Sequence, residues 1–275
     1  MKTPQIILVI SALAVGVGLY MMPFAPIAEE KDNQESEEAV MAYNIQDDLT
    51  EIKNNLDSAA LARINDWESS ESEFAVDSII AFYDLIRKPV GSSFYALQRA
   101  EKSNTADHWT EAGERFLLNA KYMGSQPQKT NWYAEARTCF EKAVEIDPED
   151  LEIQVDLAVC LIEGASFLGT PPMEGIGMLK KVEQKDPNNV KALINLGYFA
   201  IKSGQFDKAE ERFNQVLKID GEYAEAYLYL ADLHERQKDY TAAIADLENF
   251  KSLISDEPEK AKEVDAYILE LSKNI

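Results

Sequence analysis

The sequence predicts an all-α chain: an N-terminal transmembrane helix, then a solenoid of helical hairpins, closed by a C-terminal capping helix. Three observations predict it. No charged residue occurs from Ile6 to Ala28. Beyond that run, apolar residues recur at spacings of three and four, as on one face of a helix. Finally, Leu196, Gly197 and Ala209 return 34 residues later as Leu230, Ala231 and Ala243, and self-similarity at such a period marks stacked helical units.

Each element follows in order. Residues 1–28 form the expected anchor. Thr3 can cap a helix, Pro4 suits its first turn, and Pro23 and Pro26 end it, so Pro4 to Met22 would span about 28 Å. Lys2 flanks one side and Glu29, Glu30, Lys31 and Asp32 the other, which by the positive-inside rule predicts a single-pass protein with the repeats outside the cytoplasm, in the periplasm if the cell is bacterial. A cleaved signal peptide is the competing reading of the same run, although Pro26 sits where cleavage wants a small residue. Residues 29–38 read as a short acidic linker. Residues 39–73 hold an amphipathic stalk helix, with Ala42, Ile45, Leu49, Ile52, Leu56 and Ala59 on one seam, and a polar break at Glu68 to Glu73. That seam packs on its own domain or supports self-association.

Residues 74–257 hold the repeats. Trp109, Ala112, Gly113 and Phe116 pair with Ala136, Phe140, Ala143 and Pro148; Leu193, Leu196, Gly197 and Ala200 pair with Ala209, Phe213 and Val216; Tyr227, Leu230 and Ala231 pair with Ala243 and Leu247. The residue types have a physical reason: Gly or Ala lets two helices approach closely, and large apolar residues fill the groove beside them. This pattern resembles the tetratricopeptide repeat (TPR). On its register the chain holds about five units, starting at Phe74, Ala106, Leu151, Val190 and Ala224, with extra residues at Met123–Asn131 and Gly164–Pro172 predicted as longer loops. Residues 258–275, with Val264, Tyr267, Ile268 and Leu271 on one face, are the expected cap.

Composition narrows the function. Against 27 basic residues stand 49 acidic ones, a formal charge of −22, which repels phosphate backbones and disfavours nucleic-acid partners, so none is expected. Cys139 and Cys160 form no CxxC, His108 and His234 lack ligand spacing, and no metal or cofactor is implied. Both cysteines read as small buried hydrophobes that could pair in an oxidising compartment if adjacent. Gly175, Gly177 and Lys180 only loosely suggest a phosphate loop, and close helix packing explains them better. No catalytic constellation is found, so no enzyme is predicted.

The TPR resemblance implies a concave groove lined by the first helix of each repeat. By register that groove holds Val155, Val159, Ile162, Lys191, Ile194, Tyr198, Ile201 and Leu228. Thr110, Val155, Ile194 and Leu228 stand at the fifth position, where carboxylate-gripping TPR domains carry Lys or Asn. An apolar or amphipathic segment suits such a lining. One anchor and one acidic stack together resemble the membrane-tethered TPR subunits of cytochrome c maturation and the ancillary chaperone of the secretion translocon. The expected function is a membrane-anchored adaptor for membrane or envelope proteins. A holdase for exported chains and a structural subunit of a larger complex remain as alternatives.

Overall fold

The computed structural model describes residues 43–70 and 72–275. Among them are fourteen α-helices and no strand. They fall into two compact units, divided between Lys185 and Asp186.

The first unit contains α1 (Ile45–Asn54), α2 (Ser58–Glu68), α3 (Glu73–Leu85), α4 (Pro89–Ser103), α5 (Ala106–Tyr122), α6 (Gln126–Ile146), α7 (Leu151–Glu163), the single turn α8 (Ala165–Leu168) and α9 (Met173–Lys185). Three antiparallel pairs build it: α3 with α4, α5 with α6 and α7 with α9. Starts are written in the sequence as caps. The Thr105 hydroxyl accepts from the His108 N–H ahead of α5, and the Asp150 carboxylate accepts from the N–H groups of Glu152 and Ile153 ahead of α7. Trp109, Ala112, Gly113 and Phe116 of α5 are buried facing Ala136, Phe140 and Ala143 of α6. Pro148 lies in the following turn, where its carbonyl accepts from the Gln154 side chain at 2.7 Å.

The second unit contains α10 (Val190–Lys202), α11 (Phe206–Ile219), α12 (Ala224–Arg236), α13 (Tyr240–Leu253), α14 (Pro258–Leu271) and a closing 3₁₀ turn. Asn189 caps α10 through the Ala192 N–H at 2.7 Å. Pairs α10/α11 and α12/α13 repeat the arrangement, and α14 lies on α13 with Val264 and Leu271 buried. Phe213 is fully buried against Gly197 and stacks on Tyr229 at 5.2 Å. Burying one such ring contributes about 1.5–3 kcal/mol.

Four expectations change. The single-pass localisation is corrected: among the described residues no helix is long and apolar enough to cross a membrane. The longest, α6, has 21 residues but carries Lys129, Glu135, Arg137, Glu141, Lys142 and Glu145. The anchor segment 1–28 and the linker 29–38 lie outside the described residues. The stalk helix is two helices, because Asn55 ends α1 and the Asp57 side chain starts α2 by accepting from the Ala60 N–H at 2.8 Å. Its seam is taken up within its own unit: α1 lies on α4 with Leu49 buried, and α2 on α3 with Ile64 buried. The insert at Met123–Asn131 is mostly helix. Pro127 sits in the first turn of α6, and the Ser125 N–H donates to the Gln128 side chain at 2.9 Å. The second insert contains α8, and α9 begins at Met173, after Pro171 and Pro172.

Candidate partner-docking face

Periodicity places a side chain on a face of its own helix, but neighbouring helices decide whether it stays accessible. Of the eight groove positions, four are core. On α7, Val155 is 0% exposed and Val159 is also buried; on α10, Ile194 and Ile201 are buried at 5% and 2%. Ile162 is half-buried, with its side chain close to the Gly175 backbone of α9.

Lys191, Tyr198 and Leu228 keep part of their surface open, all within the second unit. Lys191, Tyr198 and Lys202 fall at i, i+7 and i+11 of α10, on one face of that helix. The Tyr198 ring lies 5.2 Å from Phe199 and 5.6 Å from Tyr229 of α12. The Lys202 ammonium sits 4.4 Å above the Tyr198 ring, within cation–π range. Tyr229 is fixed from below by Phe213 and through its hydroxyl, which donates to Glu225 at 3.0 Å. Leu228 follows on α12 and packs on the Ala231–Leu247 cluster. The result is a partly exposed aromatic, backed by Tyr229, with the Lys202 ammonium over its ring.

Polar staples hold the surrounding helices. His234 Nδ1 and Asp246 Oδ2 join α12 to α13 at 2.7 Å. Burial raises the Asp246 carboxyl above the usual range, and the bond from His234 opposes that rise. The Tyr267 hydroxyl of α14 donates to Glu235 of α12, and burial together with that bond pushes the phenol well above its ordinary range.

In the first unit, accessible apolar surface lies where register had not placed it. Leu118 and Tyr122 of α5 are 56% and 42% exposed, beside the Lys121–Glu163 ion pair that joins α5 to α7 at 3.1 Å. Leu118 and Tyr122 stand at i and i+4 on the α5 face away from Phe116, a spacing that could have revealed them. Two arginines tie α3, α4 and α5 together: Arg99 bridges Asp77 and Glu111, and Arg115 bridges Asp84 and Glu111. A cleft of about 360 Å³ opens elsewhere in this unit, lined by Asp48, Glu51 and Ile52 of α1, Arg87 to Val90 around the α3–α4 turn, and Met123, Gly124, Gln128 and Trp132 of α5–α6.

Cys139 and Cys160 are both free and buried, so no bridge links them. Burial pushes each thiol up to about 12, which leaves both unreactive near neutral pH. Among the described residues no cluster of three or more His, Cys, Asp or Glu could hold a metal ion.

Tetratricopeptide-repeat family models match residues 194–249 and 128–150. Over these two stretches the chain carries tetratricopeptide repeats, helical units whose stacking builds extended binding surfaces. Among solved structures, the crystal structure of PilW, a widely conserved type IV pilus biogenesis factor, is similar at 17% identity and a TM-score of 0.53, over 75% of this chain and 88% of that one. At that identity the likeness is one of fold. MamA (41-end) from Desulfovibrio magneticus RS-1 gives 16% and 0.46 over 68% of this chain and 98% of that one. YrrB, a TPR protein with an unusual peptide-binding site, gives 17% and 0.42 over 73% and 94%. No curated protein sequence matches the chain. These matches lend no support to the likeness to cytochrome c maturation subunits.

Proposed function

We propose that the chain acts as a docking scaffold whose second unit holds an apolar or amphipathic segment of another protein against α10 and α12, by contact and without catalysis. One observation carries this reading: Tyr198, accessible on the first-helix face, is backed by Tyr229 and flanked by Lys202 at 4.4 Å. Aromatic anchors on a rigid backing supply a disproportionate share of interface energy. Leu228 extends the apolar contact and Lys191 lies at its edge, whereas Ile194 and Ile201 act by supporting α10 from within.

The test is affinity purification of the full chain against Tyr198→Ala and Leu228→Ala variants, with a partner's dissociation constant measured once it is identified. Loss of about 2 kcal/mol, roughly thirty-fold in affinity, is expected for Tyr198→Ala with helix content unchanged. Retention of the same partners at wild-type affinity by both variants would sink the reading.

A further inference from the structure

We propose that two copies of the chain associate through the outward face of α3, crossing antiparallel about a two-fold axis near the middle of that helix. This does not rest on the docking face of the second unit. Helix α3 is apolar nearly all round, a pattern found in helices that are covered. Inward, Ala75, Ile79, Ile80 and Tyr83 are buried, and on one flank the Phe82 ring lies 6.2 Å from Trp67 of α2. Outward stand Phe74, Ser78, Ala81 and Leu85, at i, i+4, i+7 and i+11 on one stripe. Phe74 and Leu85 are 81% and 79% exposed, the two most exposed large apolar side chains among the described residues. A lone exposed apolar residue is ordinary, whereas a stripe of them marks a contact surface.

The order of sizes along the stripe says what covers it. Read from either end it runs large, small, small, large. A second α3 laid antiparallel therefore sets Ser78 and Ala81 of one copy against Ala81 and Ser78 of the other. Crossing helices are closest where they cross and separate on either side. Small residues let the backbones meet there, and Phe74 of each copy reaches across the widening gap to Leu85 of the other. Such self-complementarity is what a two-fold interface requires of a single surface. Burying Ser78 sacrifices no hydrogen bond, because its hydroxyl already donates to the Phe74 carbonyl at 2.8 Å.

Local charge permits the approach, although the chain carries −22 overall. Asp77 and Asp84, which flank the stripe, are held by Arg99 and Arg115. Arg87 and Lys88, just past the end of α3, are exposed and, among the described residues, in no ion pair. An antiparallel crossing sends the two Arg87–Lys88 pairs to opposite ends, whereas a parallel one would set them face to face. Two large and two small side chains per copy fall short of the roughly 800 Å² per partner of a stable interface. The dimer is accordingly weak, with a dissociation constant on the order of 100 μM.

The test is sedimentation velocity of the full chain from about 10 μM to about 1 mM, in about 0.15 M sodium chloride. The expected result is concentration-dependent passage from monomer to dimer. It should weaken several-fold at about 0.01 M salt, where two acidic copies repel at longer range, and about tenfold or more with Phe74→Glu or Leu85→Glu at unchanged helix content. Register is read by oxidising a mixture of chains carrying Ser78→Cys and chains carrying Ala81→Cys with copper phenanthroline in air. Mixed links should outpace links between two Ser78→Cys chains, and buried Cys139 and Cys160 supply no reactive background. A monomer throughout the range would overturn the proposal and leave the stripe to a different protein. So would association that survives both glutamate variants, or Ser78→Cys chains linking to one another faster than to Ala81→Cys chains. Should either glutamate lower the helix content, Phe74→Ser with Leu85→Ser gives the same readout. Partner capture by Tyr198 is independent of either outcome.

Discussion

Glycines at the eighth position of the first helices show how far a single atom reaches. A Cβ added to Gly197 would stand 2.5 Å from the Phe213 ring, and one added to Gly113 would stand 2.8 Å from Phe140. Both rings are fully buried, so relief requires moving the paired helix. Gly197→Ala should therefore destabilise the second unit by about 1–3 kcal/mol. A methyl group added at Gly177, within α9, would meet nothing within 4 Å, and Gly177→Ala should add about 0.5–1 kcal/mol through helix propensity. Denaturant unfolding followed by circular dichroism reads both, and equal effects would refute the close-approach account. These residues were legible in the sequence because small-beside-large at fixed spacing has one packing solution. Gly175 was legible too: a Cβ there would meet the Ala158 carbonyl at 2.3 Å, which is close helix packing. The accessibility of Val155 and Ile194 was not legible, because it depends on the helices that cover them.

At the scale of elements, hairpins followed from periodicity, whereas the break between α1 and α2 did not. Ile52, Leu56 and Ala59 continue the three-four spacing straight through it, and only the capping preference of Asn55 and Asp57 marks the stop. Conversely, Gly124, Ser125 and Pro127 suggested a loop, although Pro in a first turn after Ser is equally the opening of a helix. The position of α1 has an energetic consequence. Leu49 is its one buried side chain, so Leu49→Ala should cost about 2–4 kcal/mol and release α1 from α4. Limited proteolysis should then cut first at Asn54–Asp57; unchanged resistance there would show that α1 is held by other contacts.

On the scale of the whole molecule, charge dominates. A formal charge of −22 on 275 residues leaves carboxylates repelling one another across each unit. Screening shortens the reach of that repulsion from about 30 Å at 0.01 M salt to about 8 Å at 0.15 M. Raising sodium chloride across that range should raise the thermal midpoint of unfolding. A fall would mean that the ion pairs of Arg99 and Arg115 outweigh the net repulsion. Composition made this legible, and repeat spacing made the helical class legible. Division into two units was not, since the repeats run through residue 185 without a change in pattern.

Helix α6 is 21 residues long, and α11 and α13, its counterparts in the second unit, have 14 each, a difference of 7. Seven residues are two turns to within about 20°, so an insertion of this size is neutral in phase: Ala136 and Phe140 still face Gly113 while new side chains extend beyond them. Trp132, the largest of the fully buried side chains, belongs to this extension and walls the cleft. A repeat can thus acquire a new surface by growth in whole turns, leaving its inherited contacts untouched, and lengths that differ by other increments would have to rotate one set of contacts or the other out of place.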